Sequence, residues 1–159
     1  MADLALRFTR LSPTHHRLEY RRPDGTGEAI EMETEGLLFH DLLHFALESE
    51  AGLRGSFYGV LAKIGGYEEL RVAGGMALGG EIAITERVAG AITGAIGRED
   101  PDADGFLHQV SEFLEVYDEG APRWVTRDFI LAVRERMRQL EECWKATPFG
   151  VALELAFPL

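Results

Sequence analysis

The chain of 159 residues has a single cysteine, Cys143, so no disulfide can form within it. Cys143 sits beside Trp144 in an amphipathic stretch and reads as a small buried thiol. Positive charge is scarce: 16 basic residues face 27 acidic ones, for a net charge of -11. That balance argues against broad binding to nucleic-acid phosphates or to an anionic membrane surface. The one basic cluster, Arg17 to Arg22, is broken by Glu19 and reads as an exposed strand face. No apolar run reaches the ~20 residues needed to span a bilayer, and no basic-then-apolar segment opens the chain. A cytoplasmic protein of one globular domain, residues 1–159, is the expectation. Nucleotide and acyl-transfer signatures are also missing. No Gly-Lys-Ser/Thr follows the glycines at 74 to 80, and Glu81 stands where a helix start would otherwise attract an anion. No serine occupies a nucleophile elbow.

What is present begins with strand patterns. Leu4, Leu6 and Phe8 alternate with Ala5, Arg7 and Thr9, and Leu18 and Tyr20 alternate with charged neighbours. Pro23-Asp24-Gly25 makes a strong turn, and Ile30 and Met32 share one side of the next segment. These predict a three-stranded antiparallel meander. From residue 37 the period becomes helical. Helices are expected over about 37–50, 53–64, 81–96, 106–117 and from Thr126 onward, with a glycine-rich link before the third. Gly90, Ala91, Gly94 and Ala95 suggest that the third helix is closely packed, because helical glycine costs ~1 kcal/mol against alanine. Thr126 is placed to cap the last helix. Val151 to Phe157 reads as a strand returning to the N-terminal sheet. The class is α+β, an antiparallel sheet packed against about five helices.

The densest chemistry lies at His40-Asp41-Leu42-Leu43-His44-Phe45-Ala46-Leu47-Glu48. Residues four apart on a helix differ by ~40° in direction, so His40, His44 and Glu48 share a stripe with Asp41 at its edge. Nearly all the remaining arc is apolar, so the stripe faces either a strip of solvent or an internal cavity. Two imidazoles at this spacing suit one metal ion. His40 and Glu48 lie ~12 Å apart along the axis, which favours His40 and His44 as ligands. Glu48 is then either a further ligand or the partner that orients the His44 ring. A third ligand has to come from elsewhere, and His15, His16, Glu86 and His108 are candidates.

The stretch resembles the His-Glu-x-x-His helix of zinc peptidases over five residues. Asp41 stands where that family has its glutamate base, and it is one methylene shorter. It also resembles the His-Asp-Leu-x-His-Phe-x-x-Glu helix of an uncharacterised family of small bacterial proteins. In that family, too, the helix follows strands and precedes a Gly-Leu-x-x-x-Phe-aromatic-Gly run, here Gly52 to Gly59. The resemblance brings no established activity.

A second acidic pattern, Asp100, Asp102 and Asp104 before Gly105, matches the opening of a calcium loop. Position twelve is Ser111, so the closing bidentate carboxylate is missing, and Asp104 would instead cap the following helix.

Two functional readings follow. One is a protein that binds a divalent metal, zinc above all, through His40, His44 and Glu48, with Asp41 as base or orienting carboxylate and hydrolytic chemistry at most. Its substrate, small molecule or peptide, is open. The other is a non-enzymatic, self-associating interaction protein in which the histidine stripe is purely structural.

Overall fold

The computed structural model describes residues 3–78, 80–96, 102–117 and 120–159. Strands β1 (Leu4–Arg10), β2 (His15–Arg21) and β3 (Gly27–Glu33) form the expected meander. The last strand, β4 (Ala152–Phe157), returns to pair with β1, so the antiparallel sheet runs β3-β2-β1-β4. Alternation sets the register: Phe8 lies beside Leu18 and Leu153, and Leu6 beside Tyr20 and Leu155. The inner face is thereby apolar, with Leu4, Leu6, Phe8 and Leu18 fully buried. The turn between β2 and β3 forms as its residues dictate. Gly25 takes φ 87°, and Asp24 accepts from the Thr26 backbone N–H at 2.9 Å.

The described residues form six helices, packed with the inner face or with one another: α1 (Leu37–Ala51), α2 (Phe57–Leu61), α3 (Tyr67–Leu78), α4 (Gly80–Ile96), α5 (Ala103–Leu114) and α6 (Arg127–Ala146). The sheet and helices make the fold α+β, with one helix more than the sequence pattern suggests. The addition is α3, which includes Gly74 and Gly75 of the expected link; Gly79 lies outside the described residues. Tertiary contacts offset the glycine cost. Glu28 on β3 accepts the Tyr67 backbone N–H at 3.2 Å, and Tyr67 and Leu70 are buried. The second helix is also shorter than expected, Phe57–Leu61 in place of 53–64.

Helix α1 is central and packs against α6, α4 and α2. It begins after Gly36 (φ 77°) and ends at Gly52 (φ 68°), whose left-handed backbone returns its N–H to the last turn. Phe45 reaches the sheet by packing on Phe157. In α4, Val88, Ala91, Ile92 and Ala95 are buried. Gly94 makes room for the Phe113 ring, whereas Gly90 faces open space, so only part of the small-residue stripe serves close packing.

Thr126 caps α6 as expected, accepting the Phe129 N–H at 3.2 Å. Cys143 is exposed rather than buried, because it lies ~100° round the helix from the Trp144 side. In the acidic segment, α5 already begins at Ala103, which removes the loop a calcium site would need from that point on. The cap is Asp102, which accepts the Gly105 N–H at 2.8 Å, while Asp104 pairs with Arg127 at 2.7 Å. Asp100 lies outside the described residues. Among the described residues, no helix is long and apolar enough to cross a membrane.

Candidate metal centre

The polar stripe of α1 turns inward. Asp41, His44 and Glu48 are buried, and only His40 at the rim is partly exposed. The surface opposite is α4, which places Glu86 against both imidazoles. Glu86 Oε1 lies 3.2 Å from His44 Nε2, and Glu86 Oε2 lies 3.5 Å from His40 Nε2. One donor atom from each of His40, His44 and Glu86 lies within 4.8 Å of the others, and the three together could hold a metal ion. Two donors bound at ~2.1 Å to a tetrahedral ion stand ~3.4 Å apart, close to the histidine–glutamate separations seen.

The far side of each ring also faces a carboxylate, hydrogen-bonded at His44 and at ion-pair distance at His40. His44 Nδ1 lies 3.0 Å from Glu48 Oε1, and His40 Nδ1 lies 3.7 Å from Asp41 Oδ1. Both rings therefore present Nε2 to Glu86. At His44 this is the carboxylate–histidine arrangement that fixes ring orientation and tautomer at metal sites.

Each carboxylate is positioned in turn. Glu48 accepts the backbone N–H of Phe57 at 3.1 Å and of Tyr58 at 3.0 Å, which ties the end of α1 to the start of α2. Asp41 accepts the Tyr67 hydroxyl at 3.0 and 2.8 Å, and its backbone carbonyl accepts the Tyr58 hydroxyl at 2.8 Å. Glu86 is set by the start of α4. There Glu81 accepts the Gly55 N–H at 2.7 Å, and Thr85 shares a hydrogen bond with Ser56 at 2.7 Å. The segment between α1 and α2 thus organises both the Glu48 and the Glu86 sides.

The electrostatics follow from this crowding. Burial works against the His44 imidazolium, but Glu48 and Glu86 outweigh it and push the ring up to about 9. His40 is raised by Asp41 and Glu86. Burial alone would raise Glu86, yet the two imidazoles hold it well below the ordinary carboxylate range. Burial pushes the Glu48 carboxyl up, and the hydrogen bonds it accepts restrain that rise. Tyr67 is raised by burial and by Asp41, so it stays a neutral phenol that donates.

Among the described residues of the cluster, one fully buried polar atom has no hydrogen bond. His44 Nε2 is buried, and Glu86 Oε1 at 3.2 Å is too far off the donor direction to serve. Buried polar atoms without a partner are uncommon and costly. A metal ion between the two side chains would satisfy both.

Of the residues singled out in the sequence, His40 and His44 converge. Asp41 and Glu48 stand behind them, and the Glu48 oxygens are taken up by the His44 ring and by the backbone amides of Phe57 and Tyr58. Glu86 is the one third-ligand candidate that joins them. His108 pairs with Glu112 at 3.5 Å on the exposed face of α5. His15 bonds Thr14 at 2.9 Å, and His16 bonds Thr34 at 3.1 Å while its ring packs near Phe8 and Trp144.

A pocket of about 480 Å³ opens beside the cluster, lined by His40, Glu86, Tyr67, Arg71, Leu37 and Phe57 among others. Larger hollows lie elsewhere, over the outer sheet face and beside α6, but neither touches the cluster. No family model, curated protein or solved structure matches this chain.

Proposed function

We propose that this protein binds one divalent metal ion through His40, His44 and Glu86, and that the ion's open side faces the adjoining pocket. The observation that carries the reading is the orphaned Nε2 of buried His44, 3.2 Å from Glu86 Oε1 but not hydrogen-bonded to it, while its Nδ1 is held by Glu48. Two imidazoles and one carboxylate form a donor set used by catalytic zinc sites, which leave a position free for water or substrate. Zinc is therefore the first candidate, and hydrolysis by Lewis-acid activation is the chemistry the set supports. In this reading Asp41 orients His40 rather than acting as a base, since both its oxygens already accept from Tyr67.

Metal analysis of protein purified without a histidine tag tests this. About one equivalent of chelatable zinc is expected in the wild type and its loss in Glu86→Gln and His44→Ala. Absence of zinc, nickel, manganese and iron from the wild type, with no uptake on titration, would sink the proposal.

The reading as a self-associating interaction protein has one observation in its favour. Strand β4 lies at the sheet edge and carries a single charge, Glu154, whereas the opposite edge strand β3 holds Glu28, Glu31 and Glu33. Light scattering that gives a monomer at all practical concentrations would count against it.

A further inference from the structure

The pocket beside the cluster mixes three kinds of lining. His40 and Glu86 form the metal side, Leu37 and Phe57 supply apolar surface, and Tyr67 and Arg71 stand on α3. Among the described residues, Arg71 is the one cation on the lining other than the cluster imidazole. Its guanidinium is half-exposed and gripped along one edge by Glu68. Nε donates to Glu68 at 3.3 and 3.4 Å, and Nη2 donates at 3.0 Å. That grip uses one edge of the five-donor fork and leaves the Nη1 edge to donate elsewhere. The pocket's carboxylates are committed: Asp41 accepts from Tyr67, and Glu86 faces the two histidines. Once a dication sits among His40, His44 and Glu86, its charge exceeds that of the single carboxylate ligand. The pocket then presents two local positive centres, the ion and the Nη1 edge of Arg71, beside the Asp41 carboxylate and the apolar surface of Leu37 and Phe57.

We propose, resting on the metal reading above, that this pocket takes a small organic anion. A carboxylate of the ligand engages the Nη1 edge of Arg71 and the positive metal side, and its apolar body lies against Leu37 and Phe57. Arg is suited to this task because its planar fork matches a carboxylate. Glu68 is the positioning residue that holds the fork in place.

Cobalt(II)-loaded protein titrated with benzoate and with its neutral isostere benzamide tests the proposal, the visible cobalt spectrum and calorimetry serving as readouts. Benzoate is expected to bind and perturb the spectrum, and benzamide at the same concentrations is not. Arg71→Gln should weaken benzoate by at least about tenfold, the usual size of a lost charge-assisted hydrogen bond, with cobalt affinity unchanged. Arg71→Lys should recover part of the binding. Arg71 is on the surface and its pair with Glu68 is solvated, so the variant is expected to fold. Equal binding of benzoate and benzamide, or benzoate binding indifferent to Arg71→Gln, would overturn the anion pocket while leaving the metal site intact. Failure of the wild type to take up cobalt at all would overturn both readings.

Discussion

The Nε2 of His44 and the carboxylate of Glu86 face each other at 3.2 Å between α1 and α4 without forming a hydrogen bond. Behind His44, Glu48 is hydrogen-bonded to the ring at 3.0 Å and to two backbone amides. The ring is therefore held from one side and unsatisfied on the other. This asymmetry separates what the two glutamates do.

Glu48→Gln should destabilise the protein and Glu86→Gln should not. The first places an amide NH₂ against groups that all donate, in a fully buried position, at a cost of about 3 kcal/mol. Glu86 is a third exposed, and its loss in metal-free protein should cost less than about 1 kcal/mol. Urea denaturation of the two variants without metal checks the contrast.

Metal affinity, in contrast, should be more sensitive at Glu86 than at Asp41. Asp41→Asn keeps an oxygen to accept from Tyr67 but weakens the hold on His40, so zinc affinity should fall roughly 10- to 100-fold. Glu86→Gln removes a charged ligand and should lose more than that. Competition with a chromophoric chelator measures both. Equal losses would show that Glu86 is not bound to the ion.

In metal-free protein the raised His44 contributes stability in its charged form. That contribution is complete below the unfolded value of 6.5 and is lost as pH rises towards about 9. Apo stability should therefore decline from pH 6.5 to 9, and the decline should vanish in His44→Ala if that variant folds. Zinc takes the ring in its neutral form, so binding near neutral pH should release protons, and affinity should rise with pH. Calorimetry in buffers of different ionisation enthalpy reads the proton release directly.

Two glycine substitutions should move stability in opposite directions. Gly90→Ala adds a methyl into open space on a helix and should stabilise by about 0.5–1 kcal/mol. Gly59→Ala would drive a methyl into the Arg54 carbonyl and shift α2, at a cost of about 2 kcal/mol. Because the amides of Phe57 and Tyr58 hold Glu48, Gly59→Ala should also reduce zinc affinity. Thermal melts with and without zinc separate the two effects.

The sheet and most helices were legible in the chain because their signals are local. Alternation at Leu4, Leu6 and Phe8 and at Leu18 and Tyr20 sets strand faces, and Thr126 sets a helix start. Helix α3 was not, because the contacts that sustain it, Glu28 to the Tyr67 amide and Tyr67 to Asp41, come from distant segments. The buried reading of Cys143 failed for a subtler reason: a position beside an apolar stripe can still fall on the wet side of a helix.

The same division runs through the site. Helical periodicity alone puts His40, His44, Asp41 and Glu48 on one side of α1, since 3.6 residues per turn is a property of the backbone. It also limits how far Glu48 can reach toward His40. Which way that stripe faces depends on the packing of α4 over α1, and so does which of His15, His16, Glu86 and His108 comes to lie against it. Tertiary structure brings Glu86 to the two imidazoles, because Glu81, just over a turn earlier, and Thr85, beside it, anchor the start of α4 to Gly55 and Ser56.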